Sequence, residues 1–433
     1  MFTRKFLLFL ISIGFVGPIF SQNNPDVIYD SAIHTVRVHP ANAPLAMPII
    51  SLNELRPLQI SFDDFNANYQ DYYYSVELMS AQWTAVQLSP FDYLQGFNQN
   101  KINEYSVSSI ATQRYFHYQF SFPNANCKPK QSGNYIIKVY KNGNTSEVIF
   151  TSRFYVVDNQ VAISATVQSP FDGNISRTHQ QIKAIADVKK IPYLQPDQIK
   201  LQVIQNFNYN DAQTIDAPTF IRDNKLEYNR EGQFVFPAGK EARWLDLRSL
   251  RLASDRIYKF ESINNQTIVY LKPDISRADM AYYTFNDLNG NYMISNSESL
   301  ESDYQNDYAK VVFTYMPSGK LPFVGQNLYL QGALTNNLLD PKALMVFNAK
   351  LGLYQKTLLL KQGYYSYNYV LRESSAAKEN TADAIVAMDD YTETEGNHWE
   401  TENNYTLFLY YRAPGARNDQ IIGYVTFSST QGW

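Results

Sequence analysis

The single cysteine of the chain is the first residue to weigh as a catalytic group. Cys127 stands next to Lys128 and close to Lys130, and nearby positive charge lowers the pKa of a thiol, which makes it a better nucleophile. A nucleophilic thiol also needs a positioned base, and the neighbouring sequence supplies none. We therefore interpret Cys127 as an incidental thiol in a polar loop, and a lone cysteine excludes an intrachain disulfide.

Two groups of acidic residues are candidates for metal binding or for sugar hydrolysis. In an extended segment His398, Glu400 and Glu402 would share one face, and imidazole with carboxylates is a common metal-ligand set. The trio lacks a second histidine, and such polar faces are more often solvated or paired, so we expect no metal. Asp389 and Asp390, or the two glutamates, are available as a carboxylate pair for sugar hydrolysis, but adjacent acids in a polar loop are normally turn residues.

The sequence carries none of the compact motifs that identify common enzyme classes. It has no Gly-x-Ser-x-Gly elbow, no His-Glu-x-x-His, no phosphate-binding glycine loop and no cysteine pair at zinc spacing. A net charge of -4 without a long run of one sign provides no basic patch for nucleic acid or an anionic membrane surface. We expect no enzymatic activity and no cofactor.

One short segment combines residues that pack with residues that pair. It is Arg243-Trp244-Leu245-Asp246-Leu247-Arg248. Trp244 and Leu247 can pack, while Asp246 stands between two arginines and can bond to either. We interpret the segment as an internal structural lock, with contact to a partner as the alternative.

Composition and alternation favour strands along the whole chain. The 34 Tyr and 26 Phe fit a pleated, half-buried surface, and runs at helical period are scarce. The clearest case is a β-hairpin over residues 135–157, where Tyr135, Ile137 and Val139 form one apolar face and Asn142-Gly143 supplies the tight turn. Further strands are predicted at residues 58–62, 72–78, 115–122, 161–167, 199–205 and 405–412. We predict an all-β fold of tandem immunoglobulin-like or early-set β-sandwich domains.

The chain divides into a leader and three β-rich domains. Arg4 and Lys5 precede an apolar run that ends before Ser21-Gln22, which is the pattern of a secretory signal peptide cleaved near that point. No later segment reaches the about 20 consecutive apolar residues that a membrane-spanning helix needs. The predicted boundaries are residues 1–21 for the signal peptide, 24–158 for an N-terminal sandwich, 159–304 for a middle domain and 305–433 for an early-set-like C-terminal sandwich, with the polar stretch 295–307 as the linker.

Four stretches of the sequence resemble one known family. They are residues 115–124 (YFHYQFSFPN), 132–135 (SGNY), 243–249 (RWLDLRS) and 396–412 (GNHWETENNYTLFLYYR). In this order and behind a signal peptide, they resemble the plug protein family of the Bacteroidota type IX secretion system, long labelled only as a domain of unknown function. The resemblance covers essentially the whole mature chain, and the last stretch is the most distinctive.

The resemblance implies a non-enzymatic role in protein transport. The partner of the family is a very large outer-membrane β-barrel translocon, whose bore is too wide for its own side chains to fill. The chain would then seal the periplasmic opening of the barrel until substrate export, without inserting into the membrane. No nucleic acid or small-molecule substrate is expected. The candidate residues for partner contact or for a domain lock are Arg243, Trp244, Asp246, Arg248, His398, Trp399 and Glu400.

A second resemblance keeps an alternative function open. Residues 327–333, 353–360 and 363–367 look like the early-set sandwiches that serve as carbohydrate-binding modules. Such modules stack sugar rings on exposed aromatic side chains. The candidates are Tyr364, Tyr365, Tyr367 and Tyr369, although alternation sends two or more of them into the core. The alternative is thus an exported carbohydrate-binding protein or a glycan-processing enzyme.

Overall fold

The computed structural model describes residues 25–54, 56–192, 195–298, 302–374 and 390–430. Within these ranges the chain is almost entirely β and forms three two-sheet sandwiches, which confirms the predicted fold class. No helix in the described part is long and apolar enough to cross a membrane. The predicted signal peptide, its cut at Ser21-Gln22 and the acid Asp389 lie outside the described residues.

The first sandwich packs two antiparallel sheets around an aromatic core. Its strands are β1 (Val27–Ile28), β2 (Ile33–Pro40), β3 (Ile49–Ser51), β4 (Leu58–Asp64), β5 (Tyr72–Met79), β6 (Leu94–Gly96), β7 (Asn100–Lys101), β8 (Glu104–Val107), β9 (Phe116–Phe122), β10 (Cys127–Pro129), β11 (Gly133–Lys141) and β12 (Val148–Val157), with the short helix α1 (Pro90–Tyr93) before β6. One sheet has the order β1-β12-β11-β5-β7 with β3 beside β12, the other has the order β2-β4-β9-β8, and β6 pairs with β10 alone. Phe62 of one sheet meets Tyr72 and Phe150 of the other edge to face.

The predicted hairpin is present as β11 and β12. Asn142 and Gly143 take positive φ angles of 52° and 71° at its turn, as a tight hairpin turn requires. Its predicted apolar face lies in the core of the first sandwich. The opposite face is buried as well, because Tyr155 and Val157 pack against the second sandwich.

The second sandwich begins directly after the first. Its early strands are β13 (Ala162–Gln168), β14 (His179–Asp187), β15 (Ile199–Gln205), β16 (Gln213–Ile215), β17 (Phe220–Arg222), β18 (Lys225–Tyr228) and β19 (Val235–Pro237), with single 3-10 turns at Pro196–Gln198 and Tyr209–Asp211. One sheet has the order β13-β14-β18-β17, with β19 also on β14.

The third sandwich follows as one continuous stretch. Its strands are β20 (Arg243–Asp246), β21 (Ile257–Ile263), β22 (Gln266–Leu271), β23 (Tyr292–Ile294), β24 (Tyr308–Tyr315), β25 (Gln326–Gln331), β26 (Val346–Asn348), β27 (Leu353–Lys361) and β28 (Gly363–Glu373), with helix α2 (Ser302–Gln305) and 3-10 turns at Ser318–Lys320 and Ala333–Thr335. In one sheet β28 carries β20 and β23 on its two sides and also pairs with β25. The other sheet has the order β21-β22-β24-β27-β26.

The last two strands return to the second sandwich. These are β29 (Asn404–Tyr411) and β30 (Gln420–Ser428), and they complete a sheet of order β16-β15-β29-β30 in which Leu201 lies opposite Leu409. Side chains of β29 and β30 lie in the same core as those of β14 and β15. The third sandwich is therefore an insertion between β19 and β29.

The sheets divide the chain differently from the predicted boundary at residues 304/305. Strands β20 to β23 share the third core with β24 to β28, whereas β29 and β30 share the second. The stretch 295–307, predicted to link two domains, joins β23 to β24 inside the third sandwich. The physical reason is that a sandwich closes only when both sheets are complete, and the strands that complete the second one come from the distant end of the sequence.

Candidate functional site

Arg243, predicted as part of a lock, lies in a buried ionic cluster. Its Nε donates to both carboxylate oxygens of Glu395, at 3.0 and 3.1 Å, and its Nη1 donates to Asp274 at 2.9 Å. Arg277 donates to the same glutamate at 2.7 Å, and Arg256 bonds to Asp274. We call these five residues the Arg243 cluster. A guanidinium that bonds to two carboxylates through separate N–H groups is fixed in both distance and orientation.

The electrostatics of Glu395 show how fully its charge is compensated. Burial alone would raise the pKa of Glu395, but Arg243 and Arg277 outweigh it and lower the pKa to about 2. The backbone N–H of Tyr369 on β28 also donates to this carboxylate, at 2.9 Å. The cluster therefore ties residues 390–403, which we call the connecting segment, to the third sandwich.

Leu245 and Leu247 of the same segment are buried in the third core, whereas Trp244, Asp246 and Arg248 lie nearer the surface. Asp246 pairs with Arg248, with 2.6 Å between Oδ2 and Nη2, and both side chains are partly exposed. Trp244 is half-buried and meets Phe285 edge to face, with Arg256 against its ring. In the sequence, Asp246 can bond to either arginine. The structure pairs Asp246 with Arg248 alone and directs Arg243 into the interior.

His398, Trp399 and Glu400 lie on the connecting segment, where it reaches the second sandwich. The backbone N–H of His398 donates to Gly239, and that of Trp399 donates to Arg177. The imidazole stacks on Tyr282 with 4.6 Å between ring centroids, and its Nδ1 lies 3.3 Å from Glu400 Oε2.

The side chains of His398, Glu400 and Glu402, considered above as a metal site, do not surround a common centre. Glu402 accepts from Asn289 at 2.7 Å and from Ser428. The first of these partners precedes β23 in the third sandwich, and the second lies on β30 in the second sandwich. Among the described residues no three His, Cys, Asp or Glu side chains are placed to hold a metal ion. Asp390 caps the turn at Thr392, as expected for a turn acid.

A second buried ionic cluster joins the first and third sandwiches. Asp63 on β4 accepts from Lys361 Nζ on β27 at 2.5 Å, from Tyr308 Oη at 2.5 Å and from His117 Nδ1 at 2.6 Å. Burial alone would raise the pKa of Asp63, but the Lys361 ammonium and the bond from His117 hold it below its ordinary value. The same ammonium lies 4.6 Å from the centre of the Tyr115 ring. We call Asp63, His117, Tyr308 and Lys361 the Asp63 cluster.

Sequence reasoning missed the Asp63 cluster. Asp63 follows five strand residues and is followed by another aspartate, so its local pattern looks like a strand end. Lys361 directly follows the apolar run 358–360 and also looks solvated. Alternation with the core residue Phe62 places Asp63 on the outer face of the sheet, which is ordinarily solvated, so no local signal indicated its burial.

The first and second sandwiches meet through an apolar layer with one arginine at its edge. Tyr155 stacks on Phe408 at 4.4 Å between ring centroids. Arg153 pairs with Asp26 at 2.5 Å and lies 3.9 Å from the centre of the Tyr209 ring. A charge held between a carboxylate and an aromatic face is stabilised by both. Each pair of sandwiches is thus joined by specific buried contacts.

A cleft of about 450 Å³ lies between the first and third sandwiches. Its apolar wall includes Val27, Val36, Leu334 and Leu358. Two of the charged groups at its edge are already engaged, because Lys361 pairs with Asp63 and Asp26 pairs with Arg153. The cleft therefore resembles an interdomain gap more than a preorganised catalytic site.

Cys127 was predicted to be an incidental thiol in a polar loop, with a pKa lowered by the neighbouring lysines, and both the loop position and the lowered pKa are wrong. It lies on β10 in the core of the first sandwich. Burial raises the pKa of the thiol to about 11, since the charged form is disfavoured where water is excluded. Lys130 donates its ammonium to the carbonyl of Phe91 instead.

The tyrosines proposed for sugar stacking are mostly core residues. Tyr365, Tyr367 and Tyr369 are buried in the third sandwich. Tyr364 is half-buried, with Arg248 lying 5.8 Å from its ring centre. The strand does not present a row of free aromatic faces.

Exposed aromatic side chains occur at one end of the first sandwich. Phe91 on α1 is 79% exposed, and Phe97, just after β6, is 72% exposed. Lys130 Nζ donates to the Phe91 carbonyl, and Phe97 N donates to the carbonyl of Asn126. The β6 and β10 pair therefore holds both phenylalanines at its two ends, and we call them the Phe91/Phe97 pair.

Comparisons with known proteins agree with this architecture. Residues 33–158, which make up most of the first sandwich, match the family described as type 9 secretion system plug protein 1st domain. The crystal structure of a hypothetical protein from Parabacteroides merdae ATCC 43184 aligns at 31% identity with a TM-score of 0.86, over 93% of this chain and 98% of that chain. None of the curated proteins matches the chain.

A second solved structure aligns too poorly to support any argument about this chain. The Pseudomonas fluorescens alkylpurine DNA glycosylase AlkC bound to abasic-site DNA aligns at 13% identity over 29% of each chain, with a TM-score of 0.17. The Parabacteroides relative, in contrast, extends the likeness through all three sandwiches. Together with the match of the first sandwich, it shows that the chain belongs to the type 9 secretion system plug protein family.

Proposed function

We propose that this chain is a periplasmic plug that closes the periplasmic opening of the very large outer-membrane β-barrel translocon of type IX secretion until a substrate is exported. The observation that carries the proposal is the family match of the first sandwich, residues 33–158. A barrel wide enough to pass folded proteins cannot be filled by its own side chains. An idle barrel therefore needs a separate obstruction.

The joined sandwiches suit an obstruction that acts through its shape. The Asp63 cluster ties the first sandwich to the third, and Tyr155 on Phe408 ties the first to the second. The connecting segment ties the second to the third through Glu395 on one side and Gln180 on the other, which donates to the Trp399 carbonyl at 2.7 Å. Contacts of this kind oppose rotation of one sandwich against another.

Some of the candidate residues hold the sandwiches together, and the others can contact a partner. Arg243 acts as the lock between the third sandwich and the connecting segment, and His398 and Trp399 hold that segment on the second sandwich. Trp244, Asp246, Arg248 and Glu400 are more exposed and remain available for contact with a partner.

The Phe91/Phe97 pair is our candidate contact with the translocon. Exposed aromatic residues contribute a large share of binding energy when a partner buries them. Both phenylalanines lie inside the matched segment, on a two-stranded support that holds them in place. Lys128 and Lys130 on the same support supply a polar rim.

Recovery of the barrel with the tagged chain tests the proposal. Extraction of the source bacterium in mild detergent should recover the barrel with the wild-type chain. The double variant Phe91→Ala, Phe97→Ala should recover at least about tenfold less, because the partner loses two buried aromatic anchors. The matched control is Phe171→Ala, which removes an 87% exposed phenylalanine of the second sandwich and should leave recovery unchanged.

Permeability provides the functional readout. Deletion of the chain should increase uptake of large antibiotics that the outer membrane normally excludes, and the wild-type gene should restore the barrier. Unchanged uptake in the deletion strain, together with no barrel in the purified material, would contradict the plug function. Binding of the pure chain to a glycan array would instead favour the carbohydrate-binding alternative.

A further inference from the structure

Two turns at one end of the third sandwich, together with the first residue of β26, place four aliphatic side chains in solvent. The first turn follows β24 and the second joins β26 to β27. The exposed fractions are 69% for Leu321, 93% for Val324, 67% for Val346 and 54% for Leu351. We call these four residues the aliphatic tip. Single exposed apolar residues are ordinary, but a group of neighbours marks an interaction surface.

Tyr354 holds the two turns side by side. Its hydroxyl accepts from the backbone N–H of Phe323 at 2.8 Å, and its ring lies 5.7 Å from that of Phe323 and 5.0 Å from that of Phe347. The backbone of Gly352 packs against Lys320, since a Cβ added there would come within 2.7 Å of the Lys320 Cβ. The tip therefore stands on a fixed aromatic base.

The same turns carry positive charge only. The turns, residues 316–325 and 349–352, contain Lys320 and Lys350 and no Asp or Glu, although the whole chain has a net charge of -4. Lys356 lies next to them on β27, and Lys342 lies at the cleft between the first and third sandwiches. Within the described part of the chain, the ammonium groups of Lys320, Lys342 and Lys350 form no ion pair, and Lys356 donates to the Pro341 carbonyl at 2.8 Å.

Two carboxylates flank this surface, and one of them, Asp340, attracts the Lys356 ammonium. Asp340 accepts from the backbone N–H groups of Lys342 and Ala343, and so closes a turn at the base of the surface. Glu373 is the last residue of β28, opposite Gln326. The even distribution of charge along the sequence conceals this local excess of lysine.

The residue types indicate a lipid surface more than a protein. Protein interfaces are rich in aromatic residues and arginine and poor in lysine, and their strongest contacts seldom come from Val or Leu. Exposed aliphatic side chains next to unpaired lysines match the boundary of a phospholipid leaflet, where the apolar groups enter the acyl region and the ammonium groups meet phosphate.

We propose that the aliphatic tip and its lysines rest on an anionic phospholipid leaflet. Val324 and Leu321 enter the headgroup boundary, and Lys320 and Lys350 bind lipid phosphates. The chain binds to the surface of the leaflet and does not cross the membrane. The proposal goes beyond the plug function, and it is tested with protein and vesicles alone, so either can fail without the other.

Vesicle flotation of the full mature chain tests the contact. Vesicles of phosphatidylcholine alone should bind little protein, whereas vesicles with about one anionic phosphatidylglycerol in three lipids should bind at least about tenfold more, with a loss at high salt. The variants are Leu321→Ser with Val324→Ser, and separately Lys320→Glu with Lys350→Glu. Each should lower binding to anionic vesicles about tenfold.

Matched controls separate the tip from general stickiness. Leu252→Ser removes a 76% exposed leucine elsewhere in the third sandwich, and Lys189→Glu reverses an exposed lysine of the second sandwich. Both should bind vesicles like the wild type. Circular dichroism should show that all four variants are folded. Because the changed side chains are exposed, this outcome is expected for each of them.

Two results would overturn the proposal. One is a wild-type chain that binds anionic and neutral vesicles equally. The other is a tip variant that binds anionic vesicles like the wild type. If vesicle binding is absent but tip variants recover less of the barrel, the tip is a protein interface and the lipid assignment is wrong.

Discussion

Lys361 Nζ lies 2.5 Å from Asp63 Oδ2 across the junction of the first and third sandwiches, and neither side chain is more than 2% exposed to solvent. Removing one partner of a buried ion pair leaves the other charge without compensation. This loss typically costs about 3 to 5 kcal/mol. The pair is therefore expected to determine whether the two sandwiches stay joined.

Asp63→Asn should lower the free energy of unfolding by about 3 to 5 kcal/mol, because the amide keeps the shape and leaves the Lys361 charge buried. Urea unfolding followed by circular dichroism measures the change. Glu77→Gln is the matched control, since Glu77 pairs with Lys138 on the surface of the same sandwich at 2.6 Å and such pairs contribute less than about 1 kcal/mol. Equal midpoints for the two variants would show that the junction does not depend on this charge.

Glu395 gives the chain a specific response to acid. Its pKa in the folded chain is about 2, below the ordinary 4.5, so its contribution to stability is complete above about pH 4.5 and is lost as the pH falls towards 2. Unfolding in urea at pH 7, 4 and 3 should show the wild-type chain and Glu395→Gln becoming more alike as the pH falls. A constant difference between the two proteins from pH 7 to 3 would contradict the assigned pairing with Arg243 and Arg277.

The strands were the most predictable part of the fold. Residues 199–205 form β15 with the predicted bounds, and residues 72–78 form nearly all of β5, because both segments have strong β-formers on a regular alternation. The order of strands was less predictable. Nothing near Leu409 in the sequence states that its partner is Leu201 and not a strand of the preceding sandwich.

The candidate site was predictable only in part. Arg243 was recognised because it lies in a segment that mixes packing and charged residues. Its partners Glu395 and Asp274 come from distant positions, and no local pattern marks them. Asp63 carried no local signal of burial, since an acid at a strand end is ordinarily solvated. Long-range ion pairs depend on the tertiary arrangement, which a single sequence does not state.

Gly96 should be intolerant of any side chain. Its φ is +102°, and an added Cβ would lie 2.0 Å from the carbonyl oxygen of Asn126, so both the backbone and the β6 and β10 pairing would have to change. Gly96→Ala should cost at least about 2 kcal/mol in the free energy of unfolding. Since this pairing supports Phe91 and Phe97, the variant should also recover less of the barrel.

Gly173→Ala is the control for Gly96→Ala. No atom lies within 4 Å of a Cβ placed at Gly173, and its backbone is not in the left-handed region. Differential scanning calorimetry should therefore show an unchanged melting temperature for Gly173→Ala and a lowered one for Gly96→Ala. Two variants that melt together would indicate that the β6 and β10 region relaxes freely around the added methyl group.

Cys127 should be protected from thiol reagents in the folded chain. Its side chain lies in the core of the first sandwich, and burial raises its pKa to about 11. At pH 8 a reagent therefore reaches the thiol poorly, and little of the thiol is in the reactive thiolate form. A disulfide reagent should label it at least about a hundredfold more slowly than the exposed thiol of Ser318→Cys in a Cys127→Ser background. In concentrated urea the two rates should converge, because unfolding removes the burial that distinguishes them. Rapid labelling of the native wild-type chain would instead mean that the first sandwich opens locally at β10.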